Sequence, residues 1–378
     1  ANKYTFVWKK SVGKWEEKMF QKIQEAVMLL NHEYMQSFSV KIDSRIQDLQ
    51  TITRYLENKC QQNGTVFVYG RGKRKSKNQK YFELFRKFQE RQVTYDWHTA
   101  SFQGRNNYCK TDPDATFMHM KDDHMRNAQL KPGYNIQIGV DSEYIVATDV
   151  FSDRNDVWTL IPFLKTMDEK LRFRYPSVTA DSGYESEEGY TYLRETRQTP
   201  YIKPQTYEKW KRRSFKQDIS KRENMAYDAE TDVYTCYAQK KLSPVFVKKQ
   251  KSKSGYESEV TVYECEDCKD CPHKEKCTRA KGNKRLYVSK SFLEKRQESY
   301  ENILTETGIQ YRMNRSIQVE GAFGVLKNDY EFQKFLLRGK TKVKLEILLL
   351  CMGYNLNKLH AKIQNERIGF HLFKVKSA

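Results

Sequence analysis

The stretch SVTADSGYESEE, residues 177 to 188, joins a short apolar strand to the start of an acidic helix, and Asp181 stands at the junction. A capping box over Ser182 and Glu185 explains these two residues, because the serine side chain can cap the following helix. It does not explain Asp181, since a carboxylate that ends an apolar strand is costly to bury without a partner. The carboxyl ends of strands in α/β sheets are also where ligands bind. From spacing alone, a turn and a metal site explain Asp181 equally well.

Hydrophobic patterning on the amino-terminal side of Asp181 predicts an α/β fold. Residues 134–141 and 143–152 alternate apolar and polar side chains, which predicts a β-hairpin. Residues 156–173 return to helical spacing, with one proline in the first turns. The order is therefore strand, strand, helix, strand, and the last of these strands leads into Asp181.

The first part of the chain is predicted to be helical. Apolar residues recur at three and four positions over 11–35 and 42–60, which predicts a helical hairpin, and 81–93 predicts a third helix. Between them, residues 69–80 form a basic run that contains glycine and lacks apolar periodicity. This run is interpreted as a linker, either a solvated cationic loop or an arm that binds phosphates.

The last part of the chain contains an insertion followed by helices. Residues 205–300 are charged, rich in tyrosine and irregular in pattern, which is typical of an insertion. Helices are predicted over 314–330 and 342–363. The second of these is apolar nearly all round, so it is expected to lie in the core.

The composition favours a polyanionic partner. Lys and Arg number 68 against 48 Asp and Glu, which gives a net charge of +20 and an isoelectric point near 9.4. Such a field suits nucleic acid, and the alternative is a basic protein with a solvated cationic surface. No apolar run approaches the roughly 20 residues of a membrane-spanning helix, so no membrane partner is expected. With four of eight cysteines clustered and no signal-peptide pattern, the expected location is the cytoplasm.

A second carboxylate, Glu320, lies within RMNRSIQVEGAFGVLK. On an α-helix, Arg312 lies about two turns before it and Lys327 two turns after it, nearly on the same face. A surface ladder of ion pairs, each worth roughly 0.2–0.5 kcal/mol, is the simplest explanation. However, Gly321 and Gly324 beside Glu320 each cost roughly 1 kcal/mol relative to alanine in a helix. The glycines predict that another group approaches this helix closely.

Four cysteines, Cys265, Cys268, Cys271 and Cys277, follow the spacing C-x2-C-x2-C-x5-C. Four thiolates satisfy tetrahedral Zn²⁺, and gaps of two residues let neighbouring ligands point at one ion. An iron–sulfur cluster is the competing interpretation, but the lysine-rich surroundings favour zinc. His273 is able to replace one cysteine. A site of four protein ligands is closed, so its expected role is structural.

Taken together, these segments resemble the DDE transposases of bacterial insertion sequences, in the branch with a cysteine cluster before the final catalytic Glu. The matching segments are TDPDATFMHMKDDHMRNAQLKPGYNIQIGVD, VTADSGYESEEGYTYL, the cysteine cluster and YRMNRSIQVEGAFGVLKNDYEFQKFLLRGKTKVKLE, and they run through most of residues 105–360. The resemblance implies an α/β fold with an RNase H-like catalytic core. The expected divisions are a helical N-terminal segment (1–100), the first part of the core (101–204), the zinc-bearing insertion (205–300) and the C-terminal helices (301–378).

The resemblance also implies roles for individual residues. In that family three carboxylates hold two divalent ions, Mg²⁺ or Mn²⁺, and Asp181 and Glu320 match the second and third. Lys327 matches a lysine that contacts DNA near the transposon end, and Arg315 and Arg312 are expected to bind DNA as well. Arg315 precedes Glu320 by five residues, whereas four are common in related groups. The implied activity is metal-dependent cleavage and transfer of DNA strands at transposon ends.

The first carboxylate is the missing part of this pattern. Related chains carry an Asp-Gly-Thr strand just before a segment like ANKYTFVWKK, with which this chain begins. The resemblance therefore implies a fragment whose first catalytic Asp and DNA-binding region precede Ala1. Asp112 is the alternative, ahead of Asp114 and Asp141. A homodimer in a transposition complex is expected, and the competing hypothesis is a zinc-containing DNA-binding protein or transposase remnant without catalysis.

Overall fold

The computed structural model describes residues 6–119 and 129–369 and has a mixed α/β fold. Residues 120–128, part of one motif that carries the resemblance, lie outside the described residues. The chain divides into two compact units, residues 1–134 with 338–340 and residues 135–337 with 341–378. Within the described ranges, none of the helices combines the length and apolarity that crossing a membrane requires.

The first unit is built on three helices that share one hydrophobic core. They are α1 (Lys9–Tyr34), α2 (Arg45–Gln62) and α3 (Lys77–Phe102), and their fully buried residues include Ile23, Leu30, Leu49, Leu56 and Phe85. The two helices predicted at 11–35 and 42–60 are thus present. The third is longer than predicted, because Ser76 caps its first turn by accepting a hydrogen bond from the Gln79 amide at 3.2 Å.

Short antiparallel strand pairs complete the first unit. Strand β1 (Phe6–Trp8) pairs with β2 (Asn107–Cys109), and β3 (Thr116–His119) pairs with β4 (Leu130–Gly133). A small apolar cluster that includes Phe6, Cys109 and Ala115 lies beneath them. The pairs bring the start of the chain next to the segment that follows α3.

The second unit opens with the predicted hairpin. Strands β5 (Asn135–Asp141) and β6 (Tyr144–Phe151) pair antiparallel, and Ser142 and Glu143 turn between them with positive φ angles of 50° and 73°. A short 3₁₀ turn, Asp156–Trp158, leads into α4 (Leu160–Leu171), with Pro162 in the first turn, as predicted.

A parallel β-α-β unit follows α4. Strand β7 (Ser177–Ala180) pairs with β8 (Thr199–Ile202) across a 3₁₀ turn, Ser182–Tyr184, and helix α5 (Glu187–Glu195). Leu160, Phe163, Leu164, Leu193 and Ile202 form the core between these elements. The sequence pattern indicates a buried strand at this position, but β7 is half-buried. It ends one residue before Asp181.

The segment interpreted as an irregular insertion contains a regular five-stranded antiparallel sheet in the order β13-β12-β11-β10-β9. Its strands are β9 (Ala226–Asp228), β10 (Val233–Thr235), β11 (Lys241–Lys251), β12 (Glu257–Cys265) and β13 (Arg285–Val288), with short helices α6 (Tyr207–Trp210), α7 (Arg213–Lys216), a 3₁₀ turn (Arg222–Asn224) and α8 (Lys274–Cys277) around it. The prediction of irregular structure was wrong because nearly all of β11 is exposed, so its Lys-rich sequence lacks the expected alternation.

The predicted helix at 314–330 is not a continuous α-helix. Helix α9 (Lys290–Leu304) turns into α10 (Glu306–Arg315), which continues as a π-helix (Ser316–Glu320), a single α turn α11 (Gly321–Gly324) and a second π-helix (Val325–Asp329). A π-helix bonds residue i to i+5, so each turn holds more residues than an α turn. The seven residues from Glu320 therefore turn Lys327 through a smaller angle about the axis than a regular α-helix would.

The last helix, α12 (Lys340–Gln364), buries only one of its two apolar faces. Val343, Ile347, Cys351 and Tyr354 are buried, whereas leucines on the opposite face are exposed. The interpretation of the whole helix as core was therefore wrong, because a helix at the surface of a unit can pack only one side against it.

At the corner between α9 and α10, a single methyl group added to Gly308 is expected to have a large effect on stability. A Cβ atom at Gly308 would lie 2.0 Å from the Asn302 carbonyl oxygen, whereas nothing lies within 4 Å of the equivalent position at Gly321. We expect Gly308→Ala to lower the free energy of unfolding by about 3 kcal/mol, because the overlap is with backbone. Gly321→Ala is the control and should raise it by about 0.5–1 kcal/mol. Urea denaturation measures both, and equal effects would contradict the close approach of the two helices.

Candidate active site and cysteine cluster

Asp181 begins directly after β7, and its two carboxylate oxygens have different partners. Oδ1 accepts a hydrogen bond from the Gly183 amide at 2.8 Å, which closes the 3₁₀ turn. Oδ2 lies 3.3 Å from Nη2 of Arg315. The side chain is 46% exposed. The turn thus uses one oxygen of Asp181, and the other oxygen faces a cation at the surface.

The predicted capping box over Ser182 and Glu185 is wrong. Helix α5 is capped by Ser186, whose hydroxyl accepts from the Gly189 amide at 2.9 Å. Because a short 3₁₀ turn separates β7 from α5, the cap lies four residues later than the sequence pattern suggested.

Glu185 instead forms a buried ion pair with Arg296 of α9. Its side chain is 0% exposed, and its oxygens lie 2.7 and 2.9 Å from the guanidinium nitrogens. The Gln205 amide donates to the same carboxylate at 2.7 Å. Breaking such a pair from one side leaves a buried charge and costs about 3–5 kcal/mol. The pair fixes α9 against the segment that carries Asp181.

Glu320 ends the first π-helix, and its carboxylate faces the same guanidinium of Arg315 as Asp181 does. Its Oε1 is 4.0 Å from Nη1 of Arg315, and its side chain is 68% exposed. A single guanidinium, itself 25% exposed, therefore lies between the two carboxylates predicted from the sequence. π-Helical turns occur frequently at functional sites, which fits the position of Glu320.

Asp156, which the sequence interpretation missed, lies beside Asp181. Its Oδ1 accepts hydrogen bonds from the side-chain amides of Asn135 at 2.7 Å and Gln137 at 3.2 Å. A Cβ atom at Gly183 would lie 3.0 Å from Asp181 Oδ1 and 3.1 Å from Asp156 Oδ2, so a larger residue there would press against both carboxylates. The sequence signal was weaker than for Asp181, because Asp156 comes five residues after the end of β6 rather than directly after a strand.

Tyr184 lies close to the carboxylates of Asp156 and Asp181. Its hydroxyl bonds to the Gln137 side chain. Burial, followed by the charges of Asp156 and Asp181, raises the pKa of the Tyr184 phenol above its ordinary value. The phenol therefore stays neutral and adds no further negative charge beside these carboxylates.

The basic residues predicted to bind DNA lie on either side of Glu320. The Arg312 Nε atom is buried and has no hydrogen-bond partner among residues 6–119 and 129–369. Lys327 is exposed on the second π-helix, 5.9 Å from the centre of the Phe323 ring. Apart from their own helix backbone and chain neighbours, no atom of residues 6–119 and 129–369 lies within 4 Å of the Cβ positions of Gly321 and Gly324. The group that the glycines were predicted to accommodate is therefore not supplied by the described chain.

Asp112, the candidate for the first carboxylate within the chain, is 8% exposed and lies in the first unit. Both of its oxygens lie 2.8 Å from the Tyr134 hydroxyl, and the Gly339 amide donates to Oδ1 at 3.2 Å. Asp114 accepts from the Lys340 amide at 2.9 Å. These bonds hold residues 338–340 to the first unit, a structural role that the sequence did not reveal.

Asp141, the remaining alternative, ends β5 at the surface of the second unit. Its oxygens lie 3.2 Å from the Ser142 hydroxyl and 3.4 Å from the Tyr175 hydroxyl. Both partners are neutral donors, so this carboxylate also has a local structural explanation.

The four predicted cysteines line one small cavity, and a fifth cysteine joins them. Cys265 ends β12, Cys277 ends α8, and Cys268 and Cys271 lie between, while Cys236 follows β10. His273 lines the cavity as well, and all eight cysteines of the chain are free thiols. Cys236 was missed because it precedes the first clustered cysteine, Cys265, by 29 positions, and only the pairing of β10, β11 and β12 brings it near.

Nitrogen donors point at two of these sulfur atoms. The Lys284 backbone amide lies 3.4 Å from Cys268 Sγ, and the Lys284 ammonium lies 3.3 Å from Cys277 Sγ. Lys284 is 5% exposed, and its ammonium also donates to the carbonyls of Ser220 at 2.7 Å and Cys277 at 3.1 Å. Such donors stabilise negative charge on sulfur, as a metal-bound thiolate requires.

The structure does not group these side chains tightly enough to define a metal centre. Across the described ranges 6–119 and 129–369, no set of three or more His, Cys, Asp or Glu side chains is arranged to hold a metal ion. The finding applies to the carboxylates around Arg315 and to the cysteine cavity. Around Arg315 the structure has two carboxylates and one guanidinium. Around the cavity it has five thiols.

The position of the helix cap gives a direct test of the local geometry around Asp181. We expect Ser186→Ala to lower the free energy of unfolding by about 1 kcal/mol, because the Gly189 amide loses its acceptor. Ser182→Ala is the matched control and should change it by less than about 0.5 kcal/mol. Thermal or urea unfolding measures the difference, and the reverse order would restore the capping box over Ser182.

Comparison with known proteins identifies part of the second unit. The sequence model of a transposase DDE domain matches residues 235–360, which include the cysteine cluster, Arg315, Glu320, Lys327 and most of α12. No curated protein matches the chain significantly. No solved structure does so either. The domain match covers less than half of the chain and confirms, for that part, the resemblance to DDE transposases that the sequence motifs predicted.

Proposed function

We propose that the chain is a DDE transposase of the insertion-sequence type, which cleaves and transfers DNA strands at transposon ends. The observation that carries the proposal is the convergence of Asp181 and Glu320 on the guanidinium of Arg315. The two carboxylates come from a strand end and a π-helix far apart in sequence. Both are more than two-fifths exposed, so a substrate can reach them.

The guanidinium between the carboxylates marks a position suited to a cation. Mg²⁺ and Mn²⁺ prefer carboxylate oxygens, so Asp181 Oδ2 and the Glu320 carboxylate are the proposed ligands once Arg315 turns away. When bound, such ions activate a water or a 3′-hydroxyl and stabilise the leaving oxygen of a phosphodiester. Asp181 is held for this role by the Gly183 amide, which leaves its second oxygen available.

The family pattern has a third catalytic carboxylate in addition to Asp181 and Glu320, and candidates for it are proposed within this chain. Asp112 is the candidate that the sequence offers, although Tyr134 and Gly339 already bond to it. Asp156 lies close to Asp181 in the second unit, since both carboxylates line the Cβ position of Gly183, and it adds negative charge there. An RNase H-like core is proposed for this unit, supported by the order of a hairpin, a helix and a parallel strand pair with Asp181 at its end.

DNA is the proposed substrate. The net charge of +20 suits a polyanion, and Arg312, Arg315 and Lys327 flank Glu320 on the same helical segment. The Nε atom of Arg312 has no hydrogen-bond partner within residues 6–119 and 129–369, and it is a donor suited to a phosphate oxygen once the side chain turns toward solvent. The open space beside Gly321 and Gly324 lets a DNA backbone approach. Binding through such residues is expected to weaken as the salt concentration rises.

A structural Zn²⁺ is proposed for the cysteine cavity. Cys265, Cys268, Cys271 and Cys277 line it, and the donors of Lys284 point at two of the sulfurs. A zinc ion would draw these thiolates together and connect the end of β12 with α8. Its role would be to stabilise the five-stranded sheet rather than to take part in the reaction.

Charge removal at the two carboxylates tests the catalytic proposal. We expect Asp181→Asn and Glu320→Gln each to lower the rate of Mn²⁺-dependent cleavage of DNA carrying the element's ends at least about 100-fold, because each removes a ligand charge. DNA binding, measured by electrophoretic mobility shift, should be retained. Asp141→Asn, at an exposed carboxylate of the same unit, is the control and should leave the rate nearly unchanged. Full cleavage by Asp181→Asn would refute the assignment.

Metal analysis tests the cysteine proposal separately. The purified chain should contain about one equivalent of zinc, and Cys268→Ser and Cys277→Ser should each lower that content, because a hydroxyl is a poor substitute for a thiolate ligand. Cys60→Ala, at a buried cysteine of α2 outside the cavity, is the control. Iron with an absorption band of an iron–sulfur cluster, or no metal at all, would rule out zinc.

A DNA-binding protein without catalysis is the second candidate function. It is favoured by one observation, that no three acidic side chains in the described part of the chain are grouped to hold a metal ion. The two functions separate in the cleavage assay above. Salt-dependent DNA binding with no Mn²⁺-dependent cleavage by the unaltered chain would support the second candidate.

A further inference from the structure

The cysteine cavity has one more thiol than a structural zinc ion binds. Four thiols come from the cluster between residues 265 and 277, and the fifth belongs to Cys236, which directly follows β10. Structural zinc is almost always bound tetrahedrally by four protein ligands. The choice of ligands rests on the zinc site proposed above, and with five thiols one of them is left over.

The strand order brings Cys236 to the same end of the sheet as Cys265. The Cys236 amide donates a hydrogen bond to the Lys240 carbonyl at 2.9 Å, which closes the turn between β10 and β11. On the opposite side of β11, the Glu266 amide, next to Cys265, donates to the Lys241 carbonyl at 3.0 Å. Because β10, β11 and β12 are adjacent and antiparallel, the ends of β10 and β12 lie on either side of the start of β11.

Two side-chain contacts hold the turn that contains Cys236 against the loop of clustered cysteines. The ring of Tyr237 meets the ring of His273 edge to face, with the ring centres 5.0 Å apart. The Lys240 ammonium pairs with the Asp267 carboxylate at 3.0 Å. Since these contacts join the turn to the loop on two sides, Cys236 is kept at the cavity independently of a metal ion.

Lys284 contacts three of the clustered cysteines. Its carbonyl accepts a hydrogen bond from the Cys265 amide at 2.9 Å. Its amide lies 3.4 Å from Cys268 Sγ, and its ammonium lies 3.3 Å from Cys277 Sγ. Within residues 6–119 and 129–369, Lys284 makes no hydrogen bond to Cys271. One buried residue thus orders three thiols of the cluster and leaves the fourth outside this arrangement.

Cys265 is the thiol that links Cys236 to the cluster. It is 2% exposed. Burial is the largest cause that raises the pKa of the Cys265 thiol, and the neighbouring thiols of Cys268 and Cys236 raise it further. Thiolates packed this closely destabilise one another, and a divalent cation bound among them removes that repulsion.

We propose that Cys236 is a zinc ligand and that Cys271 is the thiol left over. The other three ligands are the cysteines that contact Lys284, namely Cys265, Cys268 and Cys277. Each of the four thiols gives its proton to solvent when the ion binds.

With this ligand set, the zinc ion connects three parts of the second unit. They are the β10–β11 turn through Cys236, the end of β12 through Cys265, and α8 through Cys277. Four ligands from the cluster alone would leave the β10–β11 turn unconnected. The link between Cys236 and Cys265 also closes a longer segment of chain than any link within the cluster, so it removes more entropy from the unfolded chain.

The zinc affinity of the full purified chain, measured without DNA by competition with a chromogenic chelator, tests the proposal. Cys236→Ser should weaken zinc binding at least about tenfold, because a hydroxyl replaces a ligand thiolate. Cys271→Ser is the matched control from the same cavity and should leave the affinity nearly unchanged. Weaker binding by Cys271→Ser with full affinity in Cys236→Ser would overturn the proposal and make the four clustered cysteines the ligands.

Alkylation of the unaltered chain is a second measurement, which does not depend on the folding of a variant. Iodoacetamide modifies thiols that are not bound to metal, and mass analysis of the peptides locates them. In the zinc-loaded chain Cys271 should be modified and Cys236 protected, and both should react after EDTA has removed the zinc. Modification of Cys236 at the same rate with and without zinc would contradict its role as a ligand.

These measurements separate the assignment of Cys236 from the zinc site on which it rests. A purified chain that holds no zinc would refute the zinc site and the role of Cys236 together. A chain that holds zinc and keeps its full affinity in Cys236→Ser would refute only the role of Cys236.

Discussion

The buried ion pair between Glu185 and Arg296 is the contact on which the candidate site depends. Glu185 lies four residues after Asp181, and Arg296 lies in the middle of α9, so the pair ties the end of β7 to the helices that carry Glu320. The close corner at Gly308 then lets α10 fold back from α9. Arg315, the last residue of α10, reaches Asp181 as a consequence. A methyl group added at Gly308, or loss of the positive charge of Arg296, would therefore shift Arg315 and Glu320 relative to Asp181, although neither residue contacts these side chains directly.

Arg315 offsets the repulsion between the carboxylates of Asp181 and Glu320, because its guanidinium faces both of them. Carboxylates brought together repel each other unless a cation lies between them. In the described structure a guanidinium fills that position, and the π-helical segment places Glu320 within its reach. The Arg315 guanidinium must move away from both carboxylates if a divalent ion is to bind between them. Metal binding is therefore coupled to any ligand that attracts Arg315. A DNA phosphate is the natural competitor for an arginine.

The parts of the fold that depend on local patterning were predictable from the sequence. The β5–β6 hairpin, α4 with Pro162, and the strand before Asp181 follow from alternation, spacing and proline position. The five-stranded sheet was not predictable in this way, because β11 is exposed along almost its whole length and its lysines hide the strand pattern. The π-helices are equally hidden, since they differ from an α-helix only in hydrogen bonding and leave no mark in residue spacing.

The candidate site was predictable where a single residue carried the signal, and not where contacts between distant segments decide. Asp181, Glu320 and the four clustered cysteines could be named from motifs, whereas Asp156 and Cys236 join them only through tertiary structure. The role of Asp112 in binding Tyr134 and Gly339 likewise needs the folded chain.

Anomalous X-ray scattering from crystals of the chain grown with Mn²⁺ would test the central claim most directly. The account predicts a manganese peak within coordination distance of Asp181 and Glu320, with the Arg315 guanidinium moved away from both carboxylates. A manganese peak elsewhere, or none at saturating Mn²⁺ with Arg315 still between Asp181 and Glu320, would contradict it.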